Sequence, residues 1–581
     1  MTGKRLVAAV GAGLFLFAFA LRLIGIGWGL KNDLHHHSYH PDEPVVFAVS
    51  QAIVPTQAKF TPGFYNYGTG YLTFLRVVSD VVSGYTGGPG ETADSLWSYV
   101  SRVHLAGRIA TAAMGAGTVL FVFLLLRRFL GWTGSLTGAL LIAVAPAHVV
   151  HSRFQTVDVP ATFWLAVAAW AAMQLFPTPG DSLPNDPSPN HAGPPDAGPA
   201  VPAAPASPSP ARWVTLSAIA VGLSAGTKYT GILGLVTVII AIALHHRPQL
   251  IKWTALAIGV ALLTFVISTP GVVLENERFM QDFRYEMTHT QTGHGLVFTN
   301  TGPGFLYHLI NLVFGVGFVL TLLSLFGVGL GVAQRHGWLL ALLAFTLLYY
   351  LLIGRAEVKF LRYTFPLLIG LAASFGLLME HCQRRQWGGQ IVVALGLAGL
   401  GGLDPGGGLR QAALLSAFMA GEDPRDTTVR HLRAKGGTVG LASDPWFYTP
   451  PTFSDAGAMR TNPLAQRLAL MSAANPPTVY RIEPNGDNFA FNVRLITDDR
   501  PDRVVISSFE AFDPLRLYPS RESITDPTVR VQVDRAHEFY EALRRDYELE
   551  TAFGGGIVHV HDLEYIRPEI TVWKRKSTAA P

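Results

Sequence analysis

The 581-residue chain is 49% hydrophobic and only 14% charged, with a mean hydropathy of +0.30 and a formal net charge of +4. Soluble domains carry about 25% charged residues, so a wholly soluble enzyme is excluded; the small, scattered charge, without a basic tract and interleaved aromatics, excludes a nucleic-acid binder. The single cysteine, Cys382, excludes an internal disulfide and a cysteine-built metal cluster.

Lys4 and Arg5 precede an apolar run over 6–26. Its length, its lack of a small-x-small exit and the further spans after it make it a signal anchor rather than a cleaved leader. Residues 28–104 form a first loop carrying His40-Pro41-Asp42-Glu43, with amphipathic stretches at 45–53 and 71–82 that predict short surface helices. Further spans are predicted at 105–126, 134–150 and 159–175, with a polar knot of His148, His151, Arg153, Gln155 and Asp158 before the last. Residues 177–212, rich in Pro, Ala, Ser and Asn, predict a disordered linker that cannot bury a core. Lys228-Tyr229 interrupts the apolar stretch 213–245, which is read as two short spans, 213–227 and 230–244. A span at 253–268 leads to a polar loop, 269–304, with Glu275, Glu277, Arg278, Asp282, Arg284, Glu286, His289 and His294. Spans at 305–332, 338–353, 363–378 and 391–402 bring the total to about eleven by length. The glycine-rich 401–408 reads as a flexible exit from the membrane. Residues 405–581 change composition and alternate β-rich runs (439–442, 503–508, 529–533, 570–573) with a helical run at 536–547, which predicts a soluble α/β domain.

Basic residues at span ends prefer the cytoplasm. With the N-terminus inside, Arg127/Arg128, Arg212, Arg247, Arg335 and Arg384/Arg385 all fall inside. The linker 177–212 is then cytoplasmic. The Asp42-Glu43 loop, the His151-Arg153-Asp158 knot, Lys228, the 269–304 loop and Arg355, Glu357, Lys359 and Arg362 fall outside with the C-terminal domain. Reading 213–245 as one span would turn Arg247 and Arg335 outward.

Outward cations at span ends suit a phosphate, and a carboxylate beside them suits a base acting on a hydroxyl. Each has a plainer reading. Asp42-Glu43 could cap the helix that Pro44 opens; Arg355, Lys359 and Arg362 could snorkel; Arg153 and Asp158 could form a structural salt bridge. His35-His36-His37 with His40 and Asp42 has the ligand types for a divalent metal, but no fixed spacing. No Gly-rich phosphate loop lies between a strand and a helix. The aromatic run Trp446-Phe447-Tyr448 fits either a core or a sugar-stacking surface.

With these features in hand, the chain resembles the GT-C glycosyltransferases that use polyprenyl-phosphate sugars. The branch is that of the protein O-mannosyltransferases, the lipid A aminoarabinose transferases and the bacterial phospholipid-carrier-dependent glycosyltransferases. The resemblance covers roughly residues 5–400. It rests on His40-Pro41-Asp42-Glu43, Gly107-Arg108, Pro146-Ala147-His148 leading to Ser152-Arg153 and Asp158, Gly226-Thr227-Lys228-Tyr229, and Arg362-Tyr363 with Pro366. It implies an α-helical polytopic membrane protein of GT-C type, 1–404, followed by the soluble domain, 405–581. It implies an inverting, metal-independent transferase that needs no cofactor. Asp42 would be the general base, Glu43 a support for acceptor or base, and Lys228, Arg355, Arg362 and Lys359 the donor-phosphate ligands. His40, Arg108, Arg153 and Asp158 would support them.

The expected function is transfer of a hexosyl or pentosyl group from a polyprenyl-phosphate donor to an extracytoplasmic acceptor on a protein, lipid or glycan. Two other classes compete: a transporter or flippase of a lipid-linked sugar, which needs mid-span ions and internal repeats, and a non-catalytic scaffold, which leaves Asp42 and the outward cations without a role.

Overall fold

The computed structural model describes residues 3–177, 210–443, 447–452, 479–480 and 491–577. Most of the linker expected at 177–212, and Trp446, lie outside them. Among the described residues, three helices are long and apolar enough to cross a membrane: Gly3–Leu23, Asp94–Leu126 and Arg247–Ser268. A bent pair, Gly304–Val316 and Phe318–Ala333, makes a fourth span if counted as one. Shorter apolar helices pack among them: Trp132–Val144, Tyr229–His245, Gly337–Ile353, Leu367–Gln383 and Trp387–Gly401. The protein is a multi-pass membrane protein, and among the described residues its apolar helices differ widely in length.

The differences have local causes. The stretch 134–150 breaks into Trp132–Val144 and Pro146–His151, because proline has no N–H and pushes the preceding Ala145 to extended geometry (φ −62°, ψ 111°). The stretch 305–332 bends by 119° at Gly317, where φ is +125°, a conformation open to glycine alone. Asp404 holds the corner, accepting the Val319 N–H at 2.7 Å. The 269–304 stretch is not all loop: it contains the helix Asn276–Thr292. That helix stacks Phe279 and Phe283 one turn apart against Tyr229, an apolar stripe too narrow to stand out in polar sequence. The exit at 401–408 is only a turn. Helix Gly408–Ala420 follows and packs back on the helical body, where Ser416 and Met419 meet Arg153.

The C-terminal sheet holds β1 (Val439–Leu441), β2 (Val479–Tyr480), β3 (Arg503–Ser507), β4 (Tyr547–Phe553) and β5 (Ile570–Arg575) in the order β2-β1-β3-β5-β4. β1 runs parallel to β2 and β3, and β5 antiparallel to β3 and β4. The expected strand at 529–533 is instead part of helix Pro527–Asp546. Its alternating valines look like a strand, but Asp526 caps the Thr528 N–H at 2.8 Å and Pro527 opens the first turn. This domain clamps the first loop: Tyr39 Oη donates to Asp426 at 2.5 Å and Asn32 Nδ2 at 2.7 Å.

The polar ends of the helices sort into two groups. Arg128 reaches Gln174 at 3.0 Å, Phe129 stacks on Trp338 at 4.8 Å, and His245 lies 4.4 Å from Phe176. Lys228, Asp158, Arg362 and Asp42 gather at the other end. The chain therefore does turn at Lys228, passing from Pro210–Ala225 through Tyr229–Gly234 into Leu235–His245.

Candidate active site

A cavity of about 800 Å³ opens between the helical body and the C-terminal domain. Asp42, Asp158, Lys228 and Arg362 all line it. Arg362 stands between two carboxylates, 3.5 Å from Asp42 and 3.6 Å from Asp158. Asp158 also receives Lys228 at 2.5 Å, and the Lys228 ammonium lies 4.1 Å from the centre of the Tyr363 ring. The result is a row of alternating charge, Asp42–Arg362–Asp158–Lys228, along one wall.

Asp42 occupies the N-cap position of helix Glu43–Gln51, yet its side chain makes no capping bond. Its carboxylate, about a third exposed, is turned to Arg362 and the cavity instead. Glu43, one residue on, is fully buried. Arg108 grips it through Nε at 2.8 Å and Nη2 at 2.7 Å, Ser38 Oγ donates at 2.6 Å and the Gln155 N–H at 2.9 Å. Burial alone would raise the Glu43 pKa, but the Arg108 guanidinium outweighs it and holds the carboxyl well below the usual range. Arg108 completes its shell on the Ile26 and Trp28 carbonyls at 2.8 and 2.6 Å. Glu43 and Arg108 thus pin the first loop to helix Ala93–Leu126 and do not line the cavity.

The other expected residues divide in the same way. Lys359 is buried, bonded to Thr301 at 3.0 Å and Glu357 at 3.2 Å, and Arg355 is exposed; neither lines the cavity. Arg153 does not pair with Asp158: it is bonded to the Leu21 carbonyl at 2.8 Å and to Ser416, tying helix Gly408–Ala420 down. His40 is buried and accepts the Asp42 N–H at 3.1 Å. Burial pushes its pKa down to about 4, which keeps the ring neutral and able to accept that bond. His35 stacks on Tyr39 and is bonded to the His37 carbonyl at 2.7 Å. Among the described residues, no group of three or more His, Cys, Asp or Glu side chains stands where it could hold a metal ion.

Further lining residues are ones that the sequence marked weakly or not at all. From the helical part come Tyr67, Tyr285 and Glu286, with His289 and His294, which the polar composition of 269–304 had marked only weakly. The C-terminal domain contributes Tyr448, Phe509, Glu510, Asp513, His561 and Tyr565. Tyr448 and Phe509 lie stacked, ring centres 5.6 Å apart, and Phe447 lines the same wall. Burial raises Glu286, against an opposing pull from Lys228, and lowers His294 to about 4.

Burial also pushes Glu510 up to about 7. Glu510 accepts the Ser507 N–H at 2.9 Å in a capping box and bonds Ser443. A carboxyl raised in the folded state holds a proton that the unfolded chain releases. Its contribution to stability is therefore full below about pH 4.5 and is lost as pH rises through 7. Glu510→Gln keeps the cap without the charge. Relative to wild type it should gain on the order of 2 kcal/mol at pH 8 and little at pH 4, read as the difference in thermal midpoint across that range.

No family model matches the sequence, and no curated protein matches it. Solved structures do. The oligosaccharyltransferase AglB from the archaeon Archaeoglobus fulgidus, solved with an inhibitory peptide and a dolichol-phosphate, is similar over 100% of this chain and 75% of its own, at 12% identity and a TM-score of 0.51. ArnT from Cupriavidus metallidurans, solved with undecaprenyl phosphate, is similar over 74% of this chain and 72% of its own, at 18% identity and a TM-score of 0.43. The S. cerevisiae protein O-mannosyltransferase Pmt1-Pmt2 complex, solved with its sugar donor, is similar over 48% of this chain and 34% of its own, at 17% identity and a TM-score of 0.32. The likeness to AglB is one of fold.

Proposed function

We propose that the protein transfers a sugar from a polyprenyl-phosphate donor to an acceptor hydroxyl, using Asp42 as general base and Arg362 with Lys228 as phosphate ligands. The observation that carries this reading is the turn of Asp42 away from its helix and onto Arg362, in a cavity that Lys228 and Asp158 also line. A membrane-embedded body explains a lipid-borne donor, and the fold is shared with AglB, which was solved with a dolichol-phosphate.

In the reaction the acceptor oxygen attacks the anomeric carbon and passes its proton to the Asp42 carboxylate. The bond from that carbon to the phosphate oxygen breaks on the opposite face, inverting the configuration. The departing polyprenyl phosphate gains charge, which Arg362 and Lys228 stabilise in a partly dry cavity. Before the donor arrives, Arg362 pairs with both Asp42 and Asp158, and Lys228 supplies the second positive charge against Asp158. An entering phosphate competes for that guanidinium and frees Asp42 to face the acceptor. These steps require no metal or cofactor. In this reading the cavity and the C-terminal domain face the extracytoplasmic side and the N-terminus the cytoplasm, which the basic residues at the opposite ends of the helices favour.

The test is a panel of radiolabelled polyprenyl-phosphate sugars, pentose and hexose, beside the matching nucleotide sugars, in proteoliposomes with protein, lipid and glycan acceptors. Sugar leaving a lipid donor but no nucleotide donor is the expected result. Turnover of nucleotide sugars, or of no donor in the panel, would overturn the reading.

A further inference from the structure

One short segment of the C-terminal domain, His561–Ile566, holds the Arg362 turn directly and reaches Asp42 through His40. Asp562 is 1% exposed. Its two oxygens accept the N–H groups of Leu361 at 3.0 Å and Arg362 at 2.9 Å. These are the first residues of the 3-10 turn Leu361–Thr364, which has no side-chain cap of its own from Phe360. The first N–H groups of a helical turn have no partner inside it, so a residue some 200 positions away caps this one. His151 Nε2 lies 4.0 Å from the same carboxylate. Three residues on, Tyr565 Oη lies 3.3 Å from His40 Nε2, the ring whose other nitrogen holds the Asp42 N–H. The Ile566 carbonyl accepts Trp28 Nε1 at 3.1 Å, and the Tyr565 carbonyl accepts Arg425 Nη2 at 3.0 Å.

We propose that Asp562 is a positioning residue for the donor phosphate. By capping the Arg362 turn from the C-terminal domain, it sets where the guanidinium stands relative to Asp42, so that this domain is part of the catalytic apparatus rather than an appendage. This inference rests on the function proposed above. Charge-assisted bonds to two adjacent N–H groups fix both the height and the rotation of the turn. Arg362 has a long side chain, and a loosened backbone would let it settle on Asp158 alone. Donor affinity would then fall while Asp42 itself stayed in place.

The experiment uses the full chain in nanodiscs, with polyprenyl phosphate as the binding probe and donor-dependent turnover as the second readout. Asp562→Asn keeps the shape but loses the charge and one acceptor oxygen. It should raise Kd for polyprenyl phosphate and donor KM by about tenfold, with a smaller change in kcat. In an Arg362→Lys background the same substitution should add less than about twofold, because the two residues act as one unit. A residue that only supported the fold would lower the thermal midpoint and penalise both backgrounds equally, and that result would overturn the proposal. So would unchanged affinity in Asp562→Asn. Should that variant fail to accumulate, Asp562→Ser retains one capping bond and enters the same cycle, with an intermediate loss expected. Asp42→Asn should bind the probe at least as tightly as wild type does, because the phosphate no longer competes with that carboxylate for Arg362. If wild type binds no polyprenyl phosphate, the functional reading falls and takes this inference with it. If wild type binds and Asp562→Asn binds equally well, only this inference falls.

Discussion

Asp42→Asn is expected to lower transfer by about 10²–10⁴-fold, the usual worth of a positioned general base, with donor binding at least as tight as in wild type and the thermal midpoint little changed. The substitution keeps the side chain's size, and Asp42 caps no helix, so little of the fold depends on its charge. One partner is affected: Arg362, 3.5 Å away, keeps Asp158 at 3.6 Å as a counterion. Glu43 cannot take over the role, because Arg108, Ser38 and the Gln155 N–H occupy its oxygens out of reach of the cavity. Single-turnover transfer from a lipid-linked donor, beside a binding titration, separates loss of chemistry from loss of affinity. Undiminished transfer would move the base to Asp158 or Glu286, the other carboxylates lining the helical side of the cavity.

Arg108→Leu should be the most damaging single change to the fold, at about 3–5 kcal/mol. The side chains of Arg108 and Glu43 are both 0% exposed. Removing the guanidinium leaves a carboxylate in a dry site and strips the Ile26 and Trp28 carbonyls of their donor. A lowered melting transition in detergent and poor accumulation in the membrane are the expected readouts. Adding Glu43→Met should restore only part of the loss. The buried charge is then gone, but the Gln155 N–H and Ser38 Oγ lose their acceptor. Full restoration would show the pair to be dispensable, and no loss in Arg108→Leu would show that Glu43 finds another partner.

These two residues show what could be read from sequence. Adjacent acids in a polar loop beside a span signalled a site, and Asp42 does line the cavity. Nothing local separated it from Glu43, whose partner, Arg108, is 65 positions away. Lys228 was legible because an ion interrupting an apolar run is costly without a purpose. Among Arg355, Lys359 and Arg362, alike in sequence, only Arg362 lines the cavity. The selection is made by Asp562 and by the 3-10 turn, through contacts that no spacing rule reveals. Helix Pro527–Asp546 misled by its valines, while β4, with Glu548 and Leu549 both exposed, showed no clean alternation and went unnoticed. The cavity's second wall was illegible for a plainer reason: it comes from a domain whose docking on the first loop depends on single pairs such as Tyr39 with Asp426.

The distance along the chain between Asp42 and Asp562 also has a meaning in time. A ribosome adding about 5–20 residues per second needs roughly half a minute to two minutes to travel from one to the other. Once residue 362 has been made, Asp42, Lys228 and Arg362 are all present, but until residue 562 follows, the turn that carries Arg362 has no cap. That wall of the cavity closes only once residue 562 has been made and its domain has docked. On the proposed function, a chain that has not yet made Asp562 holds Asp42, Lys228 and Arg362 without the cap that fixes the Arg362 turn, so the site is assembled only after the C-terminal domain docks.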